Sequence, residues 1–282
     1  MAASALHGRS AVVTGCTRGF GRVLAGMLVD RGVRLVVSGP WPQESQAVAD
    51  ELRSRGGEVV VAPGDVTDAG QVEGLAQVAV DTFGSLDLWV NNAAAATPVG
   101  LAFDLSPETF QRSIDVNVRG TYLGARAAAG RMLPARRGVI VNMLGRGDDV
   151  RPTPHTSPYG ASKAWVRAFT RTLQAEYQDS GVHVVGFNPG MMLTDMLLAP
   201  QVVGEPGAAA MKPYATITRI FADPPEVAAS RLVEALERAT PPKSVRLLGP
   251  TGAAKHALRA AARGVTRRGA DAPVPVPERV EG

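Results

Sequence analysis

Short runs of β-branched and aliphatic residues alternate along the chain with longer stretches in which apolar residues recur at helical spacing. The apolar runs predict seven strands, at residues 11–13, 33–38, 58–61, 86–90, 138–143, 182–187 and 244–248. The amphipathic stretches predict helices at residues 19–30, 43–55, 69–83, 107–132, 159–179 and 225–238. Several strand candidates are nearly continuous Val, Ile and Leu, which is typical of strands covered on both faces. The alternation therefore predicts one doubly wound α/β domain, with a seven-stranded parallel sheet and helices on both faces.

Two segments depart from this alternation, and the domain proper is expected to span residues 1–250. Residues 191–225 are long and apolar and hold four of the eight methionines, which suits either an irregular loop packed as extra core or a mobile substrate lid. Residues 251–282 form a tail with six basic residues against three acidic ones. We predict a basic helix at 253–268 and then a disordered Pro-rich end, as a solvated tail or as a contact to a membrane surface or an acidic partner.

Composition excludes several classes of protein. Hydrophobic residues make up 45% of the chain and charged residues 20%, so a packed core is expected rather than general disorder. The net charge is +4, and most of it lies in the tail, which leaves a nearly neutral body without the footprint of a nucleic-acid-binding protein. The chain has a single cysteine, Cys16, which predicts neither an internal disulfide nor a thiolate metal site. The sequence also shows no integral membrane segment and no signal peptide, so we expect a cytoplasmic protein.

A glycine-rich turn, TGCTRGFG at residues 14–21, joins the first predicted strand to the first predicted helix. Glycine allows a tight turn and a close backbone approach to a phosphate, and the helix N-terminus then supplies free N–H groups and a positive dipole end. The spacing differs from G-x-G-x-x-G, and an ordinary turn is the alternative. The position before a helix favours phosphate binding and a Rossmann-like domain.

The residues after the second strand bear on the choice of nucleotide. An NAD site usually carries a carboxylate there for the ribose 2′-hydroxyl, whereas this chain reads VVSGP at residues 36–40. Arg18 in the glycine-rich turn supplies a cation that suits a 2′-phosphate, although Pro40 stands where a second arginine would strengthen the case. The sequence thus favours NADP(H) over NAD(H).

Small and amide residues follow the third and fourth strands: Asp65 and Val66, then Asn92, Ala93 and Ala94. Because ligands of parallel sheets bind at the carboxyl ends of the strands, these residues suit contacts with adenine and ribose. Each could separately be ordinary turn chemistry.

Tyr159 and Lys163 are four residues apart on one predicted helix, just after the fifth strand, and therefore share a face. An ammonium near a phenol favours the phenolate and is expected to lower the pKa of the tyrosine. Such a tyrosine can exchange a proton with a carbonyl oxygen while a hydride moves. A solvated surface pair is the alternative.

At about residues 8–250 the chain resembles the short-chain dehydrogenase/reductase family. The resemblance rests on TGCTRGFG, on DV after the third strand, on NNAA after the fourth, on Asn117, on YGASK at 159–163, and on NPG followed by Thr194. It implies that Tyr159 is the general acid/base, that Lys163 binds the nicotinamide ribose and that Asn117 holds a relay water. The implied cofactor-binding residues are Gly15, Thr17, Arg18, Gly19, Phe20, Gly21, Asp65, Val66, Asn92, Ala93, Ala94, Tyr159, Lys163, Pro189, Gly190, Met192 and Thr194. A homodimer or homotetramer is implied as well.

One departure from the family pattern concerns the fifth strand, after which the family places a serine that hydrogen-bonds the substrate carbonyl. Gly145 stands at that position. Either another donor replaces the serine hydroxyl or the redox step is impaired; candidate donors are Thr153, Thr156, Ser157 and backbone N–H groups of the turn. His155 lies in the same loop, where a histidine is more often simply exposed.

Motif details around this departure resemble the chlorophyll(ide) b reductase branch of the family, namely N-M-x-G-x-G, Y-G-x-S-K and P-G-M-x-L-T-D. Pro40 departs from that branch, and the resemblance is one of sequence and not of substrate. We therefore expect an NADP(H)-dependent oxidoreductase that interconverts a carbonyl and an alcohol on a fairly apolar small molecule. The alternative, motivated by Gly145, is a nucleotide-binding sensor or a non-redox lyase or isomerase of the same fold.

Overall fold

Strands and helices alternate in the computed structural model much as the hydrophobic pattern predicts, and the structure describes residues 4–248, 273 and 275–281. The strands are β1 Ser10–Val13, β2 Arg34–Val37, β3 Val59–Val61, β4 Leu88–Asn91, β5 Gly138–Met143, β6 Val182–Asn188, β7 Met191–Met192, β8 Gln201–Val202, β9 Ala222–Asp223, β10 Ser244–Arg246 and β11 Glu278–Arg279. The helices are α1 Gly19–Val29, α2 Pro42–Ser54, α3 Ala69–Phe83, α4 Pro107–Ile114, α5 Gly120–Ala135, α6 Ser157–Glu176, α7 Asp195–Leu198, α8 Gly204–Met211, α9 Tyr214–Phe221 and α10 Pro225–Leu236. Within these residues, no helix is both long and apolar enough to cross a membrane.

Seven strands form one parallel sheet in the order β10-β6-β5-β4-β1-β2-β3, which confirms the predicted doubly wound fold. From β1 the chain proceeds outward through β2 and β3, and it then returns to begin β4 on the other side of β1. The order of strands thus reverses between β1 and β4. In open α/β sheets the crevice at this reversal, outside the carboxyl ends of the strands, is where ligands bind.

Two hydrophobic layers cover the faces of this sheet because successive side chains of a strand point to opposite sides. In β1, Val13 joins the layer that contains Leu24 of α1 and Leu232 of α10. Val12, one residue earlier, joins the opposite layer, which contains Trp89 and Leu75 of α3. All of these side chains are buried, so burial on both faces explains the unbroken apolar runs of the central strands.

The helix predicted at 107–132 is interrupted, and this part of the prediction was wrong. A π-helical segment, Asp115–Arg119, separates α4 from α5. Its buried residue Asn117 accepts a hydrogen bond from the amide of Ala95 (2.8 Å) and donates one to the carbonyl oxygen of Ala95 (3.0 Å). π-Helical turns inside α-helices are frequent at functional sites. Here the wider turn brings the Asn117 side chain onto the backbone that follows β4.

Residues 191–225 combine short helices with three short strands. β7 pairs with β9, and β8 forms an isolated bridge from Val202 to Val99 in the loop after β4. Val202, Val203 and Met211 are buried, whereas Met196 is 47% exposed. Part of this segment is therefore packed into the protein, whereas another part is exposed to solvent.

The last described residues correct the expectation of a disordered Pro-rich end. β11 pairs in parallel with β8, and the amides of Val276, Glu278 and Val280 donate to the carbonyl oxygens of residues 198, 200 and 202 at 2.8, 3.0 and 3.0 Å. Arg279 also forms an ion pair with Glu205 at 3.0 Å. The chain end is thus a strand along the 191–225 segment. The helix predicted at 253–268 lies outside the described residues.

This pairing can be tested by replacing Glu278 with proline, which removes the N–H that donates to Pro200. We expect faster hydrogen exchange of the Val276 and Val280 amides, by about fivefold to tenfold, because one backbone hydrogen bond contributes roughly 1 kcal/mol. Glu281→Pro is the matched control, since within the described residues the Glu281 amide donates no hydrogen bond. Equal exchange in the two variants, measured by mass spectrometry, would contradict the pairing.

Candidate active site

A cavity of about 1190 Å³ opens at the carboxyl ends of the parallel strands, where the strand order reverses. It brings together most of the site residues predicted from the sequence. Those that line it are Gly15, Thr17, Arg18, Gly19, Phe20, Gly21, Asp65, Val66, Asn92, Ala93, Ala94, Tyr159, Lys163, Pro189, Met192 and Thr194. Asn117 and Gly190 do not line it, and a β-carbon on Gly190 would face Leu248 at 2.9 Å.

The glycine-rich turn is fastened to the end of β4 by side-chain hydrogen bonds. The Thr14 hydroxyl accepts from the amides of Asn92 (3.0 Å) and Ala93 (3.1 Å). The Asn92 amide group donates to the carbonyl oxygens of Thr14 (2.8 Å) and Gly15 (3.0 Å). Gly15 has a φ of +63°, and a β-carbon on it would come within 3.0 Å of Ala93, so glycine permits this close approach.

The first turn of α1 fits a phosphate group. Arg18 is the N-cap of α1 and makes no side-chain capping bond, so no side chain of the cap satisfies the free N–H groups. A helix N-terminus with free N–H groups and a positive dipole end is a ready anion site. The turn before it lines the cavity, which suits the pyrophosphate of a dinucleotide.

Cys16 in this turn is a structural cysteine and not a reactive one. Its sulfur accepts a hydrogen bond from the Ser38 amide at 3.3 Å, which ties the turn to the end of β2. Burial raises the pKa of the Cys16 thiol to about 11, although backbone hydrogen bonds of Ser38 and of Cys16 itself oppose the shift. The thiol therefore stays protonated and inert near neutral pH.

At the β2 side of the cavity, the Arg18 guanidinium lies over the Trp41 ring, 4.8 Å from its centroid. Both residues line the cavity. Among the described residues, the Arg18 guanidinium forms no ion pair with an acidic side chain. A guanidinium held by an aromatic face is oriented yet still charged. The sequence reasoning missed Trp41, and its position directly after VVSGP was the available signal.

At the other side of the cavity, Lys163 donates to the carbonyl oxygen of Met143 (2.9 Å) and lies 5.7 Å from the centre of the Tyr159 ring. Burial lowers the pKa of Lys163 to about 8, against the opposing effect of the Asp148 carboxylate. Burial raises the pKa of Tyr159 to about 12, and Tyr214 and Asp148 add to this shift. The expected lowering of the tyrosine pKa is therefore wrong: burial dominates, and the phenol is protonated at neutral pH.

A buried carboxylate anchors the turn after β5. Asp148 is 2% exposed; it pairs with Arg246 of β10, lies 3.9 Å from Arg167 of α6 and accepts from Asn188 at 3.2 Å. Its own amide donates to Gly145 at 3.1 Å. One carboxylate thus holds β6, β10 and α6 to the turn that faces Tyr159. Sequence reasoning missed Asp148 because its partners lie far along the chain.

The missing serine at residue 145 changes the packing around Tyr159. A β-carbon on Gly145 would lie 2.8 Å from the Tyr159 phenol oxygen, so the phenol occupies the space that a larger residue would need. Of the alternative donors considered, Thr153 packs its hydroxyl against Gly160, and Thr156 donates its hydroxyl to the Thr153 carbonyl oxygen at 3.4 Å.

Within the described residues, neither Ser157 nor His155 forms a hydrogen bond with the Tyr159 hydroxyl. Ser157 begins α6, and His155 has a φ of +66° with a buried Nδ1 that lacks a partner within the described residues. Across the described part of the chain, no group of three His, Cys, Asp or Glu side chains forms a candidate metal site.

Comparison with known proteins identifies the family. Residues 9–200 match the family model described as short chain dehydrogenase. The chain is 31% identical to glucose 1-dehydrogenase 2 of Bacillus subtilis over 192 residues, 67% of this chain and 74% of that protein. It is 35% identical to 3beta-hydroxysteroid dehydrogenase 1 of Eggerthella lenta over 193 residues, 67% of this chain and 72% of that protein.

Among solved structures, a metagenomic short-chain oxidoreductase in complex with NADP superposes with a TM-score of 0.70 and 26% identity. The match covers 86% of this chain and 97% of the other. The resemblance to the chlorophyll(ide) b reductase branch, made on motif detail, stays a prediction.

The crowding at residue 145 predicts a coupled effect on stability. Gly145→Ala should lower the free energy of unfolding by about 1–3 kcal/mol, since the new methyl group displaces the Tyr159 phenol. Tyr159→Phe removes the oxygen that would be contacted, so the same alanine should cost much less in that background. Gly74→Ala in α3, where a β-carbon meets nothing within 4 Å, is the control and should stabilise by roughly 0.5–1 kcal/mol. Additive effects of the two substitutions in denaturant melts would contradict the contact.

Proposed function

The chain belongs to the short-chain dehydrogenase family, and on that premise we propose that it is an NADP(H)-dependent oxidoreductase interconverting a carbonyl and an alcohol on a fairly apolar small molecule. The observation that carries the proposal is the Tyr159 phenol on the wall of the cavity, with Lys163 on the same helix beside it. The cavity lies at the reversal of strand order, beside a phosphate-binding turn. A bound nicotinamide would supply or accept the hydride.

Tyr159 is suited to act as a general acid. With a pKa of about 12, raised mainly by burial, the phenol keeps its proton at neutral pH and can donate it to a carbonyl oxygen that gains a hydride. Lys163, whose pKa is lowered by burial to about 8, is still mostly charged at pH 7 and is proposed to bind the nicotinamide ribose while its Met143 contact holds it in place.

NADP(H) is proposed over NAD(H) for two reasons. The end of β2 carries no carboxylate that would repel a 2′-phosphate, and the Arg18 guanidinium is held at that end of the cavity by Trp41. The NADP found with the metagenomic structure supports the same choice. The remaining predicted cofactor residues keep their proposed roles, with the glycine-rich turn on the pyrophosphate and Asp65 on the adenine side.

Part of the cavity wall is apolar. Met192, Met196, Leu144 and Ala199 line it, and residues 191–225 are proposed to close over the substrate as a lid on the 1–250 domain. Thioether side chains adapt to irregular apolar shapes. The similarity to a hydroxysteroid dehydrogenase is in line with a large, mostly apolar alcohol or ketone. A homodimer or homotetramer is proposed on the family resemblance.

Gly145 favours a second candidate, a nucleotide-binding protein of this fold without redox turnover. The turn offers no hydroxyl at this position, and the neighbouring threonines point their hydroxyls elsewhere. Retention of the half-buried Tyr159 beside the buried Lys163 favours the enzyme.

The first experiment follows NADPH oxidation by the purified protein against a panel of apolar aldehydes and ketones, including chlorophyllide b. Tyr159→Phe should lower turnover at least about a hundredfold, because it removes the general acid. NADPH affinity should be retained. Tyr177→Phe, near the end of the same helix and away from the cavity, is the matched control and should keep full activity. NADPH binding without turnover across the panel would favour the second candidate, a nucleotide-binding protein without redox activity.

The choice of nucleotide is tested by Arg18→Gln. We expect the dissociation constant for NADPH to rise about tenfold to a hundredfold, since a charge-assisted contact to phosphate is lost, while that for NADH changes little. Arg22→Gln is the matched control: Arg22 lies one turn further along α1, pairs with Glu51 and does not line the cavity. A parallel loss of both nucleotides in Arg18→Gln, measured by calorimetry, would contradict the assignment.

A further inference from the structure

A second cavity, of about 460 Å³, lies at the amino-terminal edge of the central sheet, opposite the cavity that faces Tyr159. Basic side chains dominate its lining: His7, Arg9, Arg34, Arg137, His183 and Arg238. The family resemblance assigns no role to any of them. The proposed reaction also uses none of them.

The register of the sheet explains why these residues meet. Arg9 directly precedes β1, and Arg34 is the first residue of β2 and pairs with Ser10. Arg137 directly precedes β5, and His183 of β6 pairs with Val139. In a parallel sheet the amino ends of the strands share one edge, so residues that stand at the start of separate strands are brought together.

One acidic side chain in this cavity, Asp87, is already engaged. It accepts from the Ser10 amide (3.1 Å) and from the hydroxyls of Ser10 (3.1 Å) and Ser85 (2.8 Å), and Arg137 lies 3.2 Å away. Burial alone would raise the pKa of Asp87, but these hydrogen bonds and Arg137 outweigh it and hold the pKa below the ordinary value. The carboxylate therefore stays charged and compensates one arginine.

Three arginines remain without such compensation. Within the described residues, Arg9, Arg34 and Arg238 form no ion pair with an acidic side chain. Arg34 lies over the Phe83 ring at 5.4 Å, and its buried Nε has no hydrogen-bond partner in the described part of the chain. A desolvated guanidinium donor without an acceptor is unfavourable, and an acceptor from outside the chain would remove that cost.

We propose that this cavity binds a small molecule that carries two or more phosphate groups. Three uncompensated guanidinium groups match several oxyanions, because each can form paired hydrogen bonds to a phosphate. The volume of about 460 Å³ lies within the range of small-molecule sites. Since this edge is opposite the carboxyl ends of the strands, the site is separate from the proposed dinucleotide site and is able to be filled at the same time.

Histidine signals give a direct and local readout. The chain has four histidines, and two of them, His7 and His183, line this cavity, whereas His155 lies in the loop before α6. The full-length protein with ¹³C-labelled histidine is titrated with inorganic pyrophosphate in the presence of saturating NADPH, and His7→Gln, His155→Gln and His183→Gln assign the signals. We expect saturable shifts of the His7 and His183 signals and none of His155.

Two arginine variants test the contacts. Arg34→Gln and Arg238→Gln should each raise the pyrophosphate dissociation constant about tenfold or more, as expected for loss of a charge-assisted contact. Arg238 is exposed and follows α10, so its variant keeps the test valid even if Arg34→Gln affects folding. Arg171→Gln on the exposed side of α6 is the control and should leave the constant unchanged.

The site is overturned if the His7 and His183 signals do not shift saturably. It is also overturned if Arg238→Gln binds pyrophosphate as tightly as Arg171→Gln. A shift confined to His155 would place the binding elsewhere and would likewise reject the proposal.

Discussion

The cavity wall around Tyr159 depends on one buried carboxylate. Asp148 pairs with Arg246, lies close to Arg167 and accepts from Asn188, so it links the turn after β5 to α6, β6 and β10. A charge buried in this way is tolerated only with such partners, and removing one of them leaves an uncompensated ion. Burial is the main cause of the shifted pKa values of Tyr159 and Lys163, and the Asp148 carboxylate adds to the raised pKa of Tyr159 and opposes the lowered pKa of Lys163. The carboxylate that anchors this turn therefore also influences the protonation of both side chains.

The glycine-rich end of the cavity is held by a different set of contacts, made of neutral hydrogen bonds. Thr14 and Asn92 join the ends of β1 and β4 at the point where the strand order reverses. The hydrogen bonds of these two side chains hold the glycine-rich turn in place. Neutral hydrogen bonds of this kind cost little to bury when both partners are satisfied. The cavity is thus bounded by two independent anchors, one polar and neutral, the other ionic.

The sequence predicts the central sheet well because strands buried on both faces leave unbroken runs of Val, Ile and Leu. The ends of each run mark where the strand begins and ends. The π-helical segment was missed, since the Ala95 partner of Asn117 is 22 residues away and no local pattern marks it. The terminal strand was missed although a signal existed. Pro275 and Pro277 alternate with Val276 and Glu278, whose N–H groups donate to the neighbouring strand, which is the placement proline tolerates at a sheet edge.

The site residues also divide into those that a short motif predicts and those that depend on distant parts of the chain. Tyr159, Lys163 and the glycine-rich turn were identifiable because their chemistry lies in short motifs, and the structure lines one cavity with them. Trp41 lies 23 residues from Arg18, and only its position directly after VVSGP points to it. Asp148 lies 98 residues from Arg246, and no local pattern marks that pairing. The protonation of Tyr159 was misjudged for a related reason, since burial is a property of the whole packing and not of the motif.

Gly145 also constrains how this site can evolve. The Tyr159 phenol occupies the space that any β-carbon at residue 145 would enter, so a serine gained there in one step meets an occupied position. The benefit of the new hydroxyl then depends on whether the tyrosine has already shifted, and the value of such a shift depends in turn on the serine. A serine at residue 145 therefore requires the Tyr159 side chain to move as well, so the two positions are coupled.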